Sequence, residues 1–252
     1  MSASTWHHGL VARWWGEFNH GGPEVEEFRP FVEAGQPALD AGCGAGRLLL
    51  PWLRGGLDVD GCDVSEDMLA ECRRLAAAEG LEPTLYRQAL HELDLPRRYR
   101  TIVCCGTFGL GSTRDQDVEA LRRFHEHLEP GGLLALDADT TGDELERELQ
   151  PGPLRPPNDR VRSADGAEYS LRGRMIDVDA VERRLTRAIQ AWQWRDGELV
   201  AEEEHVLTEN LYERDELLAL LQRTGFAEVE ARTGASAWDY EMTVFLARRP
   251  IV

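Results

Sequence analysis

The sequence predicts an α/β fold, a parallel sheet interleaved with helices, into which a separate antiparallel sheet is inserted. Three observations carry this reading. Up to about residue 138, short apolar runs alternate with amphipathic stretches, the pattern of consecutive βαβ units. Three glycines, Gly42, Gly44 and Gly46, stand between the first such run and the stretch after it. Between about 168 and 212 the helical period is lost and three extended segments follow one another.

The elements follow in order. Residues 37–41 read as a short buried strand and 47–53 as a helix, where Pro51 fits only in the first turn or at a kink. Residues 57–62 form a second strand. Ser65 then caps a helix that carries Glu66 and Asp67 in its first turn and stops at Gly80. Met68, Leu69, Cys72, Leu75 and Ala76 share one face of it. Strands follow at 84–88 and 99–105. The helix over 115–128 turns Val118, Leu121, Phe124 and Leu128 inward and leaves His125 and His127 on its surface. Residues 129–132 turn into a fifth strand, 133–138. Four prolines between 151 and 157 mark 150–166 as loop. Extended segments at about 168–178, 183–195 and 199–212 are joined by turns at 177–180 and at Asp196-Gly197, a pair suited to a two-residue hairpin. The body resumes with a helix at 214–224 and strands at 226–232 and 242–248. The chain thus divides into an N-terminal helical cap (1–36), a core (37–150), an inserted antiparallel sheet (151–212) and a C-terminal completion of the core (213–252).

Composition narrows the function. Surface scaling for 252 residues gives burial of roughly 73% of the unfolded chain's surface, ample for a large core. Forty-six acidic against 28 basic residues leave a net charge of −18, which argues against a nucleic-acid partner. No apolar run approaches the roughly 20 residues of a membrane span, and the first 19 residues lack a secretory pattern. Five cysteines without a C-x₂-C pair predict buried thiols in a reducing cytoplasm and no metal site.

The chemistry concentrates around Leu39-Asp40-Ala41-Gly42-Cys43-Gly44-Ala45-Gly46-Arg47. Glycines here let the backbone turn sharply and let a ligand lie against it, while the next helix aims its first amides into the same crevice. The alternative is a tight strand-to-helix turn whose glycines serve packing. Asp63 ends the second strand about 20 residues beyond Gly42, where a carboxylate suits the two hydroxyls of a ribose; alternatively it sits beside the helix start. Asp40 either orders the loop by accepting amides or is a surface acid at a strand end. A dinucleotide loop asks for G-x-G-x-x-G, but Arg47 stands at the last glycine position.

With these motifs, residues 38–137 resemble the class I S-adenosylmethionine-dependent methyltransferases. The match rests on residues 39–47, on Asp63-Val64-Ser65-Glu66-Asp67-Met68-Leu69, on Leu93-Asp94-Leu95-Pro96 and on Leu128-Glu129-Pro130-Gly131-Gly132, in that order. The resemblance implies a Rossmann-like seven-stranded sheet whose final strand runs antiparallel, and S-adenosyl-L-methionine as cofactor. It places Asp40 and Gly42, Cys43, Gly44 and Gly46 around the methionine part, Arg47 among the cofactor-binding residues and Asp63 on the ribose. Val64 and Met68 would flank the adenine, with Ala89 and Leu90 on its other face, and Cys105 and Gly106 would face the methionyl and substrate side. Many relatives carry an aspartate where this chain has Ala89, so adenine contact falls here to backbone amides, Gln88 or His91.

Methyl transfer from a sulfonium is an in-line displacement, and a base is needed only where the acceptor must lose a proton first. The substrate side therefore has candidates rather than a motif. Trp15 and Phe18 precede the first strand, in a region that caps cofactor and substrate in such enzymes; packing of an aromatic helix is the alternative. Thr107 and Phe108 follow the fourth strand, His20 and His91 are the candidate bases, and Tyr212 closes the inserted sheet. That sheet resembles the platform of small-molecule N-methyltransferases, including those acting on amino sugars, and such platforms also build homodimers. Its Trp192 and Trp194 face either the pocket or the sheet's own packing side. The expectation is a small-molecule methyl acceptor, nitrogen before oxygen. The alternatives are a non-catalytic S-adenosylmethionine-binding module and an NAD-dependent oxidoreductase.

Overall fold

The computed structural model describes residues 7–18, 20–138, 156, 158–234 and 242–251. Two helices, α1 (Gly9–Phe18) and α2 (Pro23–Ala34), lead into a body that alternates strands and helices. In chain order these are β1 (Ala38–Ala41), α3 (Leu49–Arg54), β2 (Val59–Asp63), α4 (Glu66–Ala78) and β3 (Leu85–Arg87). Next come β4 (Tyr99–Cys104), α5 (Arg114–His127) and β5 (Leu128–Ala138). A second group of strands follows, β6 (Val161–Arg162), β7 (Glu168–Asp179), β8 (Arg184–Arg195) and β9 (Glu198–Asn210). The chain closes with α6 (Arg214–Arg223), β10 (Ala227–Gly234) and β11 (Met242–Arg248).

Seven strands form one sheet in the order β10-β11-β5-β4-β1-β2-β3. β1, β2, β3, β4 and β5 pair in parallel, and β11 runs antiparallel to both β5 and β10. The order reverses at β1, so the carboxyl ends of β1, β2, β4 and β5 open onto one crevice. Both sheet faces are covered. Leu39, Ile102, Leu134 and Phe245 pack beneath α5 and α6, while Ala38, Val103, Ala135 and Val244 pack beneath α2, α3 and α4. Such two-sided burial explains why β1 and β4 read as continuous apolar runs rather than alternating ones.

The local chemistry sets the boundaries. Ser65 accepts from Met68 N at 3.2 Å, and Thr113 and Gln116 form a reciprocal capping box on α5. The helix expected over 47–53 begins instead at Leu49, after a run of turns over 44–48; Pro51 then falls in its first turn. His127 is buried rather than on the surface. Its Nε2 accepts from Leu95 N at 3.0 Å and its Nδ1 lies 2.8 Å from Arg123 O, so it ties α5 to the turn before β4. His125 packs edge-on against Phe226 with ring centroids 5.2 Å apart.

The second sheet is antiparallel, in the order β6-β7-β8-β9. Asp196 and Gly197, both at positive φ, turn β8 into β9. Of the loop expected at 150–166, residues 150–155 and 157 lie outside the described residues. Where β4 ends, residues 107–111 reach across and pair with β9. Asn210 N donates to Gly109 O at 2.9 Å, Gly111 N donates to Thr208 O at 2.7 Å, and Leu110 bridges Glu209. Gly109 is required there: a Cβ would lie 2.7 Å from Asn210 O. The two sheets are thereby stitched together beside the crevice. α1 closes the same space from above, packing Val11 on Ile189 and Ala191 of β8 and Ala12 on Met68 of α4. Its first amides are held by carboxylates of α4 and β9, Gly9 N by Asp67 and Leu10 N by Glu203, each at 2.8 Å.

All five cysteines are free, and only Cys105 is not fully buried. Burial pushes the Cys62 and Cys72 thiols up to about 12 and those of Cys43, Cys104 and Cys105 well above the ordinary thiol range, so they are inert. Among the described residues no helix is long and apolar enough to cross a membrane, and no group of His, Cys, Asp and Glu is arranged to hold a metal.

Candidate cofactor and acceptor cavity

The crevice holds two adjoining cavities, of about 440 Å³ and about 80 Å³. The larger is the size of an ordinary small-molecule site. Asp63, Gly42, His7, Thr107 and Leu110 line both and so form the neck between them. Beyond the neck, the smaller cavity is walled by Val64, Gln88, Ala89, Leu90 and His91. The larger runs along the glycine loop past Asp40, Cys43, Gly44, Arg47 and Met68 to Cys105, Phe108 and Asp137.

The loop is built around Asp63. Its Oδ2 accepts from Gly44 N at 2.9 Å and its Oδ1 from Ser65 N at 2.7 Å, so one carboxylate fixes both the glycine turn and the start of α4. An ionised carboxylate has about four lone-pair positions, and these two leave acceptor capacity toward the neck. Burial raises its pKa above the ordinary carboxylate value, while the amides of Ser65 and Gly44 hold it down. Gly42 must be glycine. Its φ is +85° and a Cβ would lie 2.4 Å from Cγ2 of Thr107, so the two walls of the neck approach backbone to side chain.

Asp40 stands at the floor of the larger cavity. It is 2% exposed, and its Oδ2 is buried without a hydrogen-bond partner. Burial pushes its pKa up to about 7 against the pull of Arg47. A buried acceptor with no donor facing a cavity is what a ligand's cationic group would satisfy. Arg47 fixes the opposite side. Its guanidinium donates to the buried Glu24 at 2.8 Å and toward Cys105 Sγ at 3.6 Å. On these observations the residues fit S-adenosylmethionine: a carboxylate for ribose hydroxyls at the neck, an unsatisfied carboxylate and a guanidinium for the two charges of its methionine, and apolar walls for adenine.

The site residues expected from the sequence divide. Asp40, Gly42, Cys43, Gly44, Arg47, Asp63, Val64, Met68, Ala89, Leu90 and Cys105 line one or other cavity, as do Trp15, Thr107 and Phe108. Gly46 does not; it is turned into the body, where a Cβ would meet Leu50 and Cys72. Phe18 lies outside, its ring 6.0 Å from that of Tyr169. Tyr212 is core: it is 2% exposed, and its hydroxyl donates to the buried Asp117 at 2.6 Å. His20 is exposed, with Nε2 2.9 Å from Glu17 O, away from either cavity. His91 lines the smaller cavity, its Nε2 3.1 Å from Gln116 Nε2. Gln88 commits its side-chain amide to the backbone of Asp94 in both directions. Trp192 and Trp194 are buried in the second sheet and line neither cavity.

Sequence reasoning missed His7, Arg187, Ile189, Glu209 and Asp137, all of which line the larger cavity. His7 is deeply buried. Burial, with His8 and His205 nearby, lowers its pKa to about 3, so it roofs the neck as a neutral ring. Arg187 and Glu209 pair at 2.8 Å across adjacent strands of the second sheet. No sequence signal marks these positions, because they reach the crevice only through the stitching of β9 to residues 107–111. Asp137, ending the fifth strand, was the one within reach of sequence reasoning.

Comparison with known proteins agrees with this geometry. A family model described as a methyltransferase domain matches residues 38–132. The N,N-dimethyltransferase of dTDP-3-amino-3,4,6-trideoxy-α-D-glucopyranose from Streptomyces venezuelae is 30% identical over 100 residues, a match that takes in 39% of this chain and only 40% of that protein. Among solved structures, DesVI of Streptomyces venezuelae superposes with a TM-score of 0.69 at 22% identity, covering 90% of this chain and 89% of that one. CalS10 of Micromonospora echinaspora, an amino pentose methyltransferase solved with S-adenosylmethionine bound, gives 0.62 at 21% identity, over 94% of both chains. Residues 38–132 thus match a methyltransferase domain, and the fold around them is that of the class I S-adenosylmethionine-dependent methyltransferases.

Proposed function

We propose that this protein binds S-adenosylmethionine along the glycine loop and transfers its methyl group to a small-molecule acceptor, nitrogen before oxygen. The observation that carries the reading is Asp63, which grips Gly44 N and Ser65 N while its remaining edge lines the neck of both cavities. When bound, the cofactor supplies an electrophilic methyl group. The residues of the chain do the rest. Asp63 orients the ribose, Asp40 and Arg47 take the charges of the methionine part, and Val64, Ala89 and Leu90 enclose the adenine. His7 and Trp15, carried by the segment leading into α1 and by α1 itself, roof the space and exclude water. Thr107 and Phe108 border the acceptor. The printed activities of the relative and of CalS10, both on amino-bearing sugars, support nitrogen as the accepting atom.

Calorimetric titration with S-adenosylmethionine, S-adenosylhomocysteine and NAD tests the binding half. Saturable binding of the first two and none of NAD is expected; preference for NAD would overturn the reading in favour of an oxidoreductase. Methyl-labelled cofactor incubated with metabolite pools tests the transfer half. Tight cofactor binding with no labelled acceptor in any pool would leave a binding module instead.

A further inference from the structure

Alternate residues of β7 share the face that the second sheet turns to the crevice. Along that face Tyr169 meets the ring of Phe18, Leu171 joins the cluster of Val11 and Ile189, and Met175 packs with Leu185 and Leu211. Between Leu171 and Met175 stands Gly173, directly opposite Ile189 in register. Its backbone is ordinary strand, and among the described residues a Cβ there would touch only Ile189 Cγ1, at 3.9 Å. The pairing of β7 with β8 is regular from Glu168 to Met175, so no bulge calls for glycine either. The other glycines of the larger cavity differ: Gly42, Gly44 and Gly106 hold φ of +85°, +54° and +67°. A glycine inside a strand weakens it, and one without a backbone reason marks a place that something else approaches closely. The gap at Gly173 opens into the larger cavity, between Leu171 and Ile189.

Resting on the reading that this cavity is a methyl-transfer site, we propose that Gly173 is a specificity-determining residue for the acceptor: the space left by its missing side chain receives an apolar face of that molecule. Asp63 and Asp40 stand at strand ends of the first sheet, so a cofactor held by them lies on that side of the cavity. The side formed by the second sheet is then left to the acceptor. The notch there is as wide as one side chain, and its walls, Leu171 and Ile189, are aliphatic, so it gains by burying carbon rather than charge. The acceptor class that fits is a bulky one presenting an apolar face beside its nucleophilic atom. A short-chain acceptor would leave the notch unfilled, and a larger residue at 173 would fill it and exclude the bulky one.

The test needs no knowledge of the acceptor. Analogues of S-adenosylmethionine with nitrogen in place of sulfur can carry either a methyl or a cyclohexylmethyl group, and the larger group projects where the transferred methyl points. Calorimetry should show the wild-type protein binding the two with Kd values within about threefold of each other. In Gly173→Leu the cyclohexylmethyl analogue should weaken at least about tenfold, while the methyl analogue and S-adenosylhomocysteine stay within about twofold. Gly173→Ala should show a smaller loss in the same direction, and it carries the test if the leucine variant does not fold. Its Tm should equal or exceed that of the wild type, because a strand gains by losing a glycine. A fall in that Tm would mark a glycine kept for packing and overturn the proposal. So would a wild type that rejects the larger group, a folded Gly173→Leu variant that still takes it, or an equal loss of S-adenosylhomocysteine in that variant. Failure of S-adenosylhomocysteine and both analogues to bind the wild type would instead overturn the cofactor assignment on which the proposal rests.

Discussion

Replacing Asp63 with alanine removes one carboxylate from two tasks at once, and their magnitudes differ enough to be separated. Toward a ligand, the carboxylate offers charge-assisted hydrogen bonds to two ribose hydroxyls, about 1.5 kcal/mol or more each. Losing both costs about 3 kcal/mol, which weakens S-adenosylhomocysteine binding by two orders of magnitude or more. Toward the fold, the carboxylate accepts from Gly44 N and Ser65 N at 2.9 and 2.7 Å. Leaving those amides without their acceptor costs about 1–3 kcal/mol, but deleting a buried charge removes a desolvation penalty that works the other way. The net loss of stability is thus at the low end, a few degrees in Tm for a chain of this size. Titration calorimetry on protein whose circular dichroism and melting are recorded in parallel reads both quantities. Asp63→Asn should fall between wild type and alanine, since its single oxygen can serve only one of the two amides. Wild-type affinity in a folded Asp63→Ala variant would refute the assignment of this carboxylate to the ligand, and with it the reason for reading the loop as a nucleoside cradle.

Asp40 gives a pH signature. Its pKa rises from 3.8 toward about 7 on folding, so between those values the folded protein binds the proton that the unfolded chain releases. The contribution of Asp40 therefore makes the free protein lose stability as pH rises from about 4 to about 7, by up to about 1.4 kcal/mol per pH unit, and Asp40→Asn should flatten that slope in denaturant titrations. An ammonium settling against Asp40 would lower its pKa again, so S-adenosylhomocysteine binding near pH 7 should release protons, seen as binding heats that vary with the ionisation enthalpy of the buffer. Tyr212→Phe removes a 2.6 Å hydrogen bond to buried Asp117 and should cost about 1–3 kcal/mol in chemical unfolding while leaving cofactor affinity unchanged. Trp15→Ala should weaken S-adenosylmethionine more than S-adenosylhomocysteine in competition binding, by about 0.5–2 kcal/mol, because only the sulfonium gains cation–π attraction from the indole in the cavity wall.

Much of the body was legible because its determinants are local or periodic. Ser65 ahead of Glu66 and Asp67 announces α4, and the three extended segments after residue 166 announce β7, β8 and β9, since a two-residue period and an Asp-Gly turn need no distant partner. The glycine loop was legible for a related reason: a sharp backbone turn forces glycine at fixed spacings, and the carboxylate that holds it, Asp63, falls at the end of the next strand. At Gly46 a Cβ would run into Leu50 and Cys72, so packing alone demands glycine there, a demand that looks the same in sequence as one made by a ligand.

The rest of the cavity was not legible. Aromatic side chains and histidines owe their places to surroundings that a sequence does not display. Phe18 packs on Tyr169, Tyr212 satisfies Asp117 in the core, and His127 ties α5 to the turn before β4. Conversely, Arg187 and Glu209 gain meaning only when residues 107–111 pair with β9 and draw the second sheet over the crevice. By itself, then, the sequence determined the α/β plan, the inserted sheet and the glycine loop with its partner carboxylate, all of which follow from period, caps and backbone sterics. Which charged side chains meet at the far end of the cavity was decided by tertiary structure alone, because contacts between strands tens of residues apart depend on register and closure that no local pattern encodes.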